Sequence, residues 1–324
     1  MNEAVGGYFE LELPSGTTGL YPEAFRFQTA RASFHALLCA GRPRKVWMPH
    51  YICDSMLGPL DRAGIEVSFY SLNEDFSIKD EINLHPEDWL LYVNYFGVCS
   101  KRQREILEKF NSKQVVFDHS QAFFAPPLDC LATLYSPRKF FGVPDGGLLI
   151  TKLPIPEPEI TDDGSIQRSL HLLKRLAGTP ESGYADYQAA EKTLEDLQCR
   201  KMSALTERLL SSIDYESVRL RRNENFRYLH KELGLHNRLE LEVEAVDGPL
   251  CYPFFKGLAN LRETLIRERV FTPTYWAKCL SRLRSNSLEC ELVNNLYPIP
   301  CDQRYSEKNY GVAIRIINGS IGNE

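Results

Sequence analysis

Nothing in the 324 residues approaches the ~18 consecutive apolar residues of a membrane-spanning helix, so no span is expected. The opening Met1-Asn2-Glu3-Ala4 leads into neither a basic nor an apolar run, so no secretory leader is expected. None of the nine cysteines forms a Cys-x-x-Cys pair, which argues against zinc ribbons and dithiol redox motifs. Their number is odd and the chain is too large to need disulfide staples. Reduced, mostly buried thiols in a cytoplasmic protein are the expectation. There is no basic arm or tract, and the net charge of -5 is mild and spread out, so nucleic acid is a poor partner. Internal repeats and low-complexity segments are absent.

What is present is a sizeable core: 43% of the residues are hydrophobic. The length exceeds one ordinary domain of roughly 100–200 residues. We expect a large domain over 1–215 and a small C-terminal domain over 216–324. Residues 1–24 read as an irregular lead-in, broken by glycine and proline. Thr29 caps an expected helix running to Leu38. Lys45 to Pro49, Ile65 to Tyr70, Trp89 to Phe96, Val115 to Asp118, Leu131 to Tyr135 and Gly147 to Thr151 read as strands. The run at Trp89 is almost wholly apolar, as in a parallel sheet covered on both faces. Helical stretches open at Leu57 and run from Arg102 to Phe110, so the pattern is that of βαβ units. From Ile166 to about Leu235 the chain reads as helix, ending in one long helix, Tyr215 to Leu233, closed by Gly234.

The chemistry concentrates in two stretches. Val115-Val116-Phe117-Asp118-His119-Ser120-Gln121 is a buried strand ending in aspartate. Eighteen residues beyond Asp118 comes Ser136, followed by Pro137-Arg138-Lys139 and, further on, Gly146-Gly147. A strand ending in Asp, then a second ending in a Ser-x-x-Lys turn, is how a pyridoxal phosphate site is built. Asp118 would keep the pyridine nitrogen protonated, and Lys139 would hold the aldehyde as a Schiff base. Phe140, Phe141 and Val143 would desolvate the lysine enough to free its amine. The start of the first helix, Thr29-Ala30-Arg31, offers N–H groups to a phosphate, and Ser136 a hydroxyl. Gln121 can meet the phenolic oxygen, and Tyr51 can flank the ring. His119 is read as structural, and Gly146-Gly147 as a tight turn with close backbone approach.

Together these residues resemble the DegT/DnrJ/EryC1/StrS sugar aminotransferases, among the fold-type I pyridoxal phosphate enzymes. The resemblance runs from about residue 25 to 315. The family's Asp-x-x-Gln motif falls on Asp118 to Gln121, and its lysine, seven residues before a Gly-Gly pair, on Lys139. Its Ser-Gly-Thr phosphate turn falls on Thr29-Ala30-Arg31, its Pro-aromatic segment on Pro49-His50-Tyr51, and an Arg-x-x-Asn helix start on Arg221 to Asn225. This chain departs from the family in Ala30 and Arg31, in its serine position, and in Cys199, which stands for an asparagine that reaches the partner's phosphate. A late His-Tyr pair is replaced by Tyr275-Trp276.

The resemblance implies a three-layer α/β/α domain with a mostly parallel sheet, plus a small C-terminal α/β domain. It implies a homodimer with sites at the interface and a pyridoxal phosphate cofactor. The reaction implied is transamination, with glutamate as donor and a nucleotide-linked keto sugar as acceptor, in cell-surface polysaccharide or secondary metabolite biosynthesis. Two alternatives stand beside it: other pyridoxal phosphate chemistry such as elimination or dehydration, and a non-catalytic member that kept the fold. No metal site is expected.

Overall fold

The computed structural model describes residues 5–16 and 18–322. A mixed seven-stranded sheet forms the larger part. Its strands are β1 (Phe25–Phe27), β2 (Lys45–Pro49), β3 (Glu66–Tyr70), β4 (Asp88–Val93), β5 (Val115–His119), β6 (Ala132–Tyr135) and β7 (Gly147–Thr151). Their order is β1-β7-β6-β5-β4-β2-β3. Strands β2 to β6 run parallel, and β7 is antiparallel to both β6 and β1. All six residues of β4 are buried, because the strand lies inside the sheet with both faces covered.

The first helices, α1 (Ala30–Gly41), α2 (Leu57–Ala63) and α3 (Ser100–Lys109), follow β1, β2 and β4. Up to Thr151 the expected elements are there, within a residue or two at most ends, whereas the helical stretch expected from Ile166 is interrupted, with residues 194–203 outside any helix. Two differences have physical causes. Strand β1 went unread because three residues carry too little pattern to show a period. The Trp89 run stops at Val93, and Tyr95 to Gly97 turn in a 3-10 helix with Phe96 at a φ of 56°.

After β7 come α4 (Ser165–Arg168), α5 (Leu170–Ala177), α6 (Tyr184–Thr193) and α7 (Ala204–Ser211). Helix α8 then spans Tyr215–Leu233, with Asp214 accepting from the Ser217 N–H at its start. Gly234 follows at a φ of -60°, so the helix does not end in the left-handed glycine cap expected. A 3-10 turn continues it instead.

The C-terminal part pairs β8 (Cys251–Phe255) with β9 (Leu296–Pro300), antiparallel. Pro253 faces Pro298 in register; a two-stranded ribbon tolerates this because both strands are edges. Helices α9 (Leu261–Arg267), α10 (Leu288–Asn295) and α11 (Gly311–Ile321) complete the chain. Phe226, Leu229 and Leu233 of α8 form a second core with Tyr252, Phe254, Ile299 and Ile317. Among the described residues, no helix is long and apolar enough to cross a membrane.

Candidate active site

The strand order brings the sequence candidates to one edge. Strands β2, β4, β5 and β6 all end there, β1 ends there too, and β7 starts there. Tyr51 follows β2, Asp118 lies near the end of β5, and Ser136 to Lys139 follow β6. Thr29 follows β1, and Gly146-Gly147 open β7. In open α/β sheets this carboxyl edge is where ligands bind.

Asp118 is buried, and its Oδ1 accepts the Ser120 N–H at 2.8 Å. The Asn94 N–H donates to its main-chain carbonyl at 3.0 Å, which ties the ends of β4 and β5. His119 points into a closed polar chain. The Asn94 Nδ2 donates to Gln103 Oε1 at 2.8 Å, and Gln103 Nε2 lies 2.6 Å from His119 Nε2. With Gln103 Oε1 accepting, its amide nitrogen is the donor, so the imidazole carries its proton on Nδ1. Burial pushes the His119 pKa down to about 3. The structural reading of His119 fits this placement. Gln121 is fully buried; its Oε1 accepts the Phe96 N–H at 3.0 Å, and its Nε2 has no partner.

Pro137–Lys139 form a 3-10 turn with Ser136 ahead of it. Ser136 makes no side-chain cap; its carbonyl accepts the Lys139 N–H at 3.2 Å. Lys139 is exposed, and its ammonium has no partner among the described residues. The expected desolvation by its neighbours is not observed in this chain. Phe140, Phe141 and Val143 are buried, but in a cluster with Phe123, Phe124 and Tyr135. The turn directs them into that core, away from the lysine amine.

Thr29 caps α1, its Oγ1 accepting the Ala32 N–H at 3.0 Å. The double glycine does what its spacing suggested. Gly146 has a φ of 126°, and a Cβ on Gly147 would fall 2.1 Å from the Thr29 carbonyl carbon. Arg31 leaves the turn: its Nη1 donates to the Leu194 carbonyl at 2.8 Å, at the end of α6. Arg138, beside Lys139, pairs with Glu191 of the same helix. Cys199 lies against α1, its Sγ 3.4 Å from His35 Nδ1.

Tyr51 is fully buried rather than facing open space. Its ring stacks on Tyr95 at 5.7 Å and meets Trp276 edge-on at 4.5 Å. Burial raises its phenol pKa well above the ordinary tyrosine value.

Arg222 was legible in the sequence only as part of a supposed helix start. Arg221 to Asn225 are in fact mid-helix, because α8 begins at Tyr215. Their polar side chains join the parts of the chain. Asn225 Nδ2 reaches the Cys301, Asp302 and Tyr305 carbonyls, and Arg222 reaches the Phe140 carbonyl, one residue past Lys139. A cavity of about 880 Å³ lies nearby, between α5–α6 and the C-terminal part. Arg175, Tyr184, Tyr187, Phe271, Arg304 and Tyr305 line it. Its Thr272 and Tyr310 hydroxyls are buried without partners.

No family model matches the chain, and no curated protein matches it in sequence. Solved structures match it through the fold, which is that of the sugar aminotransferases. Spr1654 of Streptococcus pneumoniae, a putative sugar aminotransferase, is 14% identical with a TM-score of 0.65, over 97% of this chain and 92% of that one. A DegT DnrJ EryC1 StrS aminotransferase from Brucella abortus is 15% identical with a TM-score of 0.61, over 91% and 85%. DesI, solved in the presence of its TDP-sugar product, is 16% identical with a TM-score of 0.61, over 92% and 81%.

Proposed function

We propose that this chain is a pyridoxal phosphate-dependent aminotransferase that acts on a nucleotide-linked keto sugar with glutamate as donor. The observation that carries the reading is the shared edge. Asp118, the Lys139 turn and the capped start of α1 come from three different strands and meet at one end of the sheet. Structures of Spr1654 in its PMP and PLP forms, and of DesI with its TDP-sugar product, support the cofactor and the acceptor class.

The donor set at this edge fits the cofactor in most of its parts. Asp118 has a carboxylate oxygen beyond the one held by Ser120, Gln121 Nε2 is a buried donor without a partner, and the Lys139 amine is free. The phosphate end fits less closely to the family pattern. There the start of α1, with Thr29, Ala30 and Arg31, and the Ser136 hydroxyl are the donors at hand, although the Arg31 guanidinium itself is turned to Leu194. Tyr51 is already covered by Tyr95 and Trp276, so it acts by supporting the site wall.

Pyridoxal phosphate, when bound, supplies an aldehyde that captures amino groups and a ring that withdraws electrons from them. The protein's share is positioning and proton control. Lys139 would hold the cofactor through Nζ, and the same amine, when free, would take and return a proton as general acid and base. Asp118 Oδ2 would keep a proton on the ring nitrogen. Gln121 Nε2 would donate to the phenolic oxygen.

The acceptor would lie in the cavity between α5–α6 and the C-terminal part. Tyr184, Tyr187 and Tyr305 offer faces for a planar base or a sugar ring, and Arg175 has no carboxylate partner among the described residues. The small unit, 216–324, entered through α8, closes this side. A homodimer with interfacial sites accounts for α5, whose Leu170, Leu173 and Leu176 are all exposed.

The test is an absorbance spectrum with added pyridoxal phosphate, wild type beside Lys139→Ala. A near-visible band in wild type alone, bleached by glutamate, is the expected result. A band that ignores every amino donor points to elimination or dehydration chemistry. No band in either protein overturns the enzymatic reading.

A further inference from the structure

Arg222 is 1% exposed, yet no carboxylate lies within ion-pair distance of it among the described residues. Burial pushes its pKa down. Asp302, itself paired with Arg304, acts on it only from beyond ion-pair distance; a guanidinium so buried is costly, and apolar residues of similar size are often the more stable choice. Its hydrogen bonds explain how it is held. Nη2 donates to the Phe140 carbonyl at 3.2 Å, and Nη1 to the Pro249 and Leu250 carbonyls at 2.8 and 3.3 Å. Nε donates to Gln303 Oε1 at 3.0 Å, and Gln303 Nε2 donates back to the same Phe140 carbonyl at 3.0 Å. The guanidinium also lies over the Phe140 ring at 4.6 Å.

The chain of bonds continues from Leu250, the residue before β8. The Leu250 N–H donates to the Phe96 carbonyl at 2.9 Å, and the Phe96 N–H donates to Gln121 Oε1 at 3.0 Å. Gln121 lies three residues after Asp118. Arg222 therefore stands between the two turns that carry the chemistry, one bond from the Lys139 turn and a short relay from the Asp118 turn. The sheet sets β5 beside β6, with Asp118 opposite Leu134 and His119 opposite Tyr135, and Arg222 adds a tie at Phe140 and Phe96, beyond the strand ends.

We propose that Arg222 is a positioning residue that, with Gln303, sets the Lys139 turn against the Asp118 turn across the entry to β8. This rests on the proposed pyridoxal phosphate reading. An arginine serves where an apolar side chain would not, because only a planar fork can hold three carbonyls and an amide in one plane. Lysine, a point charge, reaches fewer of them.

The experiment compares wild type, Arg222→Met, Arg222→Lys and Gln303→Met. Three readouts are taken: circular dichroism of the near-visible band with pyridoxal phosphate, the rate of its bleaching by glutamate, and hydrogen exchange of residues 94–99 and 137–143 without cofactor. Arg222→Met is expected to change the sign or size of the dichroism. It should also slow bleaching by about 10²-fold, the scale of a ~1 Å misplacement. Exchange should quicken in both segments, and Arg222→Lys should recover part of each effect. Gln303→Met, which keeps the guanidinium, decides the matter if Arg222→Met does not fold: it should shift the dichroism and quicken exchange at 137–143. Wild-type dichroism, bleaching and exchange in every folded variant would overturn the proposal. A wild type without any band would instead sink the cofactor reading. The exchange data alone then decide whether Arg222 couples the two turns.

Discussion

A Cβ placed on Gly147 would lie 2.1 Å from the carbonyl carbon of Thr29 and 2.3 Å from the Ala30 nitrogen. The start of β7 and the start of α1 thus touch backbone to backbone. Both neighbours are main chain, so neither can rotate aside. Gly147→Ala must drive the strand and the helix apart. A loss of about 3 kcal/mol or more is expected, at the upper end of overpacking costs. Urea unfolding midpoints measure it; a variant as stable as wild type would mean that the approach is looser than described.

Asp118→Asn keeps an oxygen to accept the Ser120 N–H, so the turn should survive. On the proposed reading, what is lost is the negative charge that would face the ring nitrogen. The glutamate half-reaction should slow by about 10²-fold or more, as on removing a preorganised electrostatic group. Stopped-flow absorbance reads this directly. An unchanged rate would remove Asp118 from the site.

His119 makes stability depend on pH. Its pKa is about 3 in the folded chain, through burial, against 6.5 in the open chain. Between those values the unfolded chain binds the extra proton. Stability from this group is therefore full above about 6.5 and falls as pH drops toward about 3. His119→Gln should flatten that part of the profile. Urea midpoints between pH 4 and pH 7, compared for the two proteins, test it; parallel profiles would count against the assignment.

The exposed face of α5 tests the homodimer. Leu170 and Leu173 are 46% and 53% exposed, and no residue of the helix is buried. Leu170→Asp with Leu173→Asp should leave the single chain's stability within about 0.5 kcal/mol, as at other open positions. Sedimentation should show wild type as a dimer and the double variant shifted toward monomer. A wild type that sediments as a monomer rules out this arrangement.

Much of the sheet was legible because its strands are buried on both faces and so read as apolar runs. The Val115 strand and the Trp89 strand stand out for that reason alone. The capped start of α1, Asp118 and the Lys139 turn were legible as well, since each sits where a periodic run stops. Strand β1 was not, being too short to show a period, and neither was the right-handed conformation of Gly234 at the end of α8. The side chains of Phe140 and Phe141 misled: adjacency in sequence to Lys139 suggested that they would cover it, and the turn sends them elsewhere.

By itself the sequence determined which strands could be buried, which residues could cap or turn, and which groups could hold a pyridine, an aldehyde and a phosphate. These are local matters of period, propensity and residue chemistry. Only the tertiary structure decided that Arg31 turns to Leu194, that Gln121 spends its carbonyl on Phe96, and that Arg222 binds the turn of Lys139 from α8. Each depends on which distant backbone groups are left unpaired once the sheet closes, and no spacing along the chain records that.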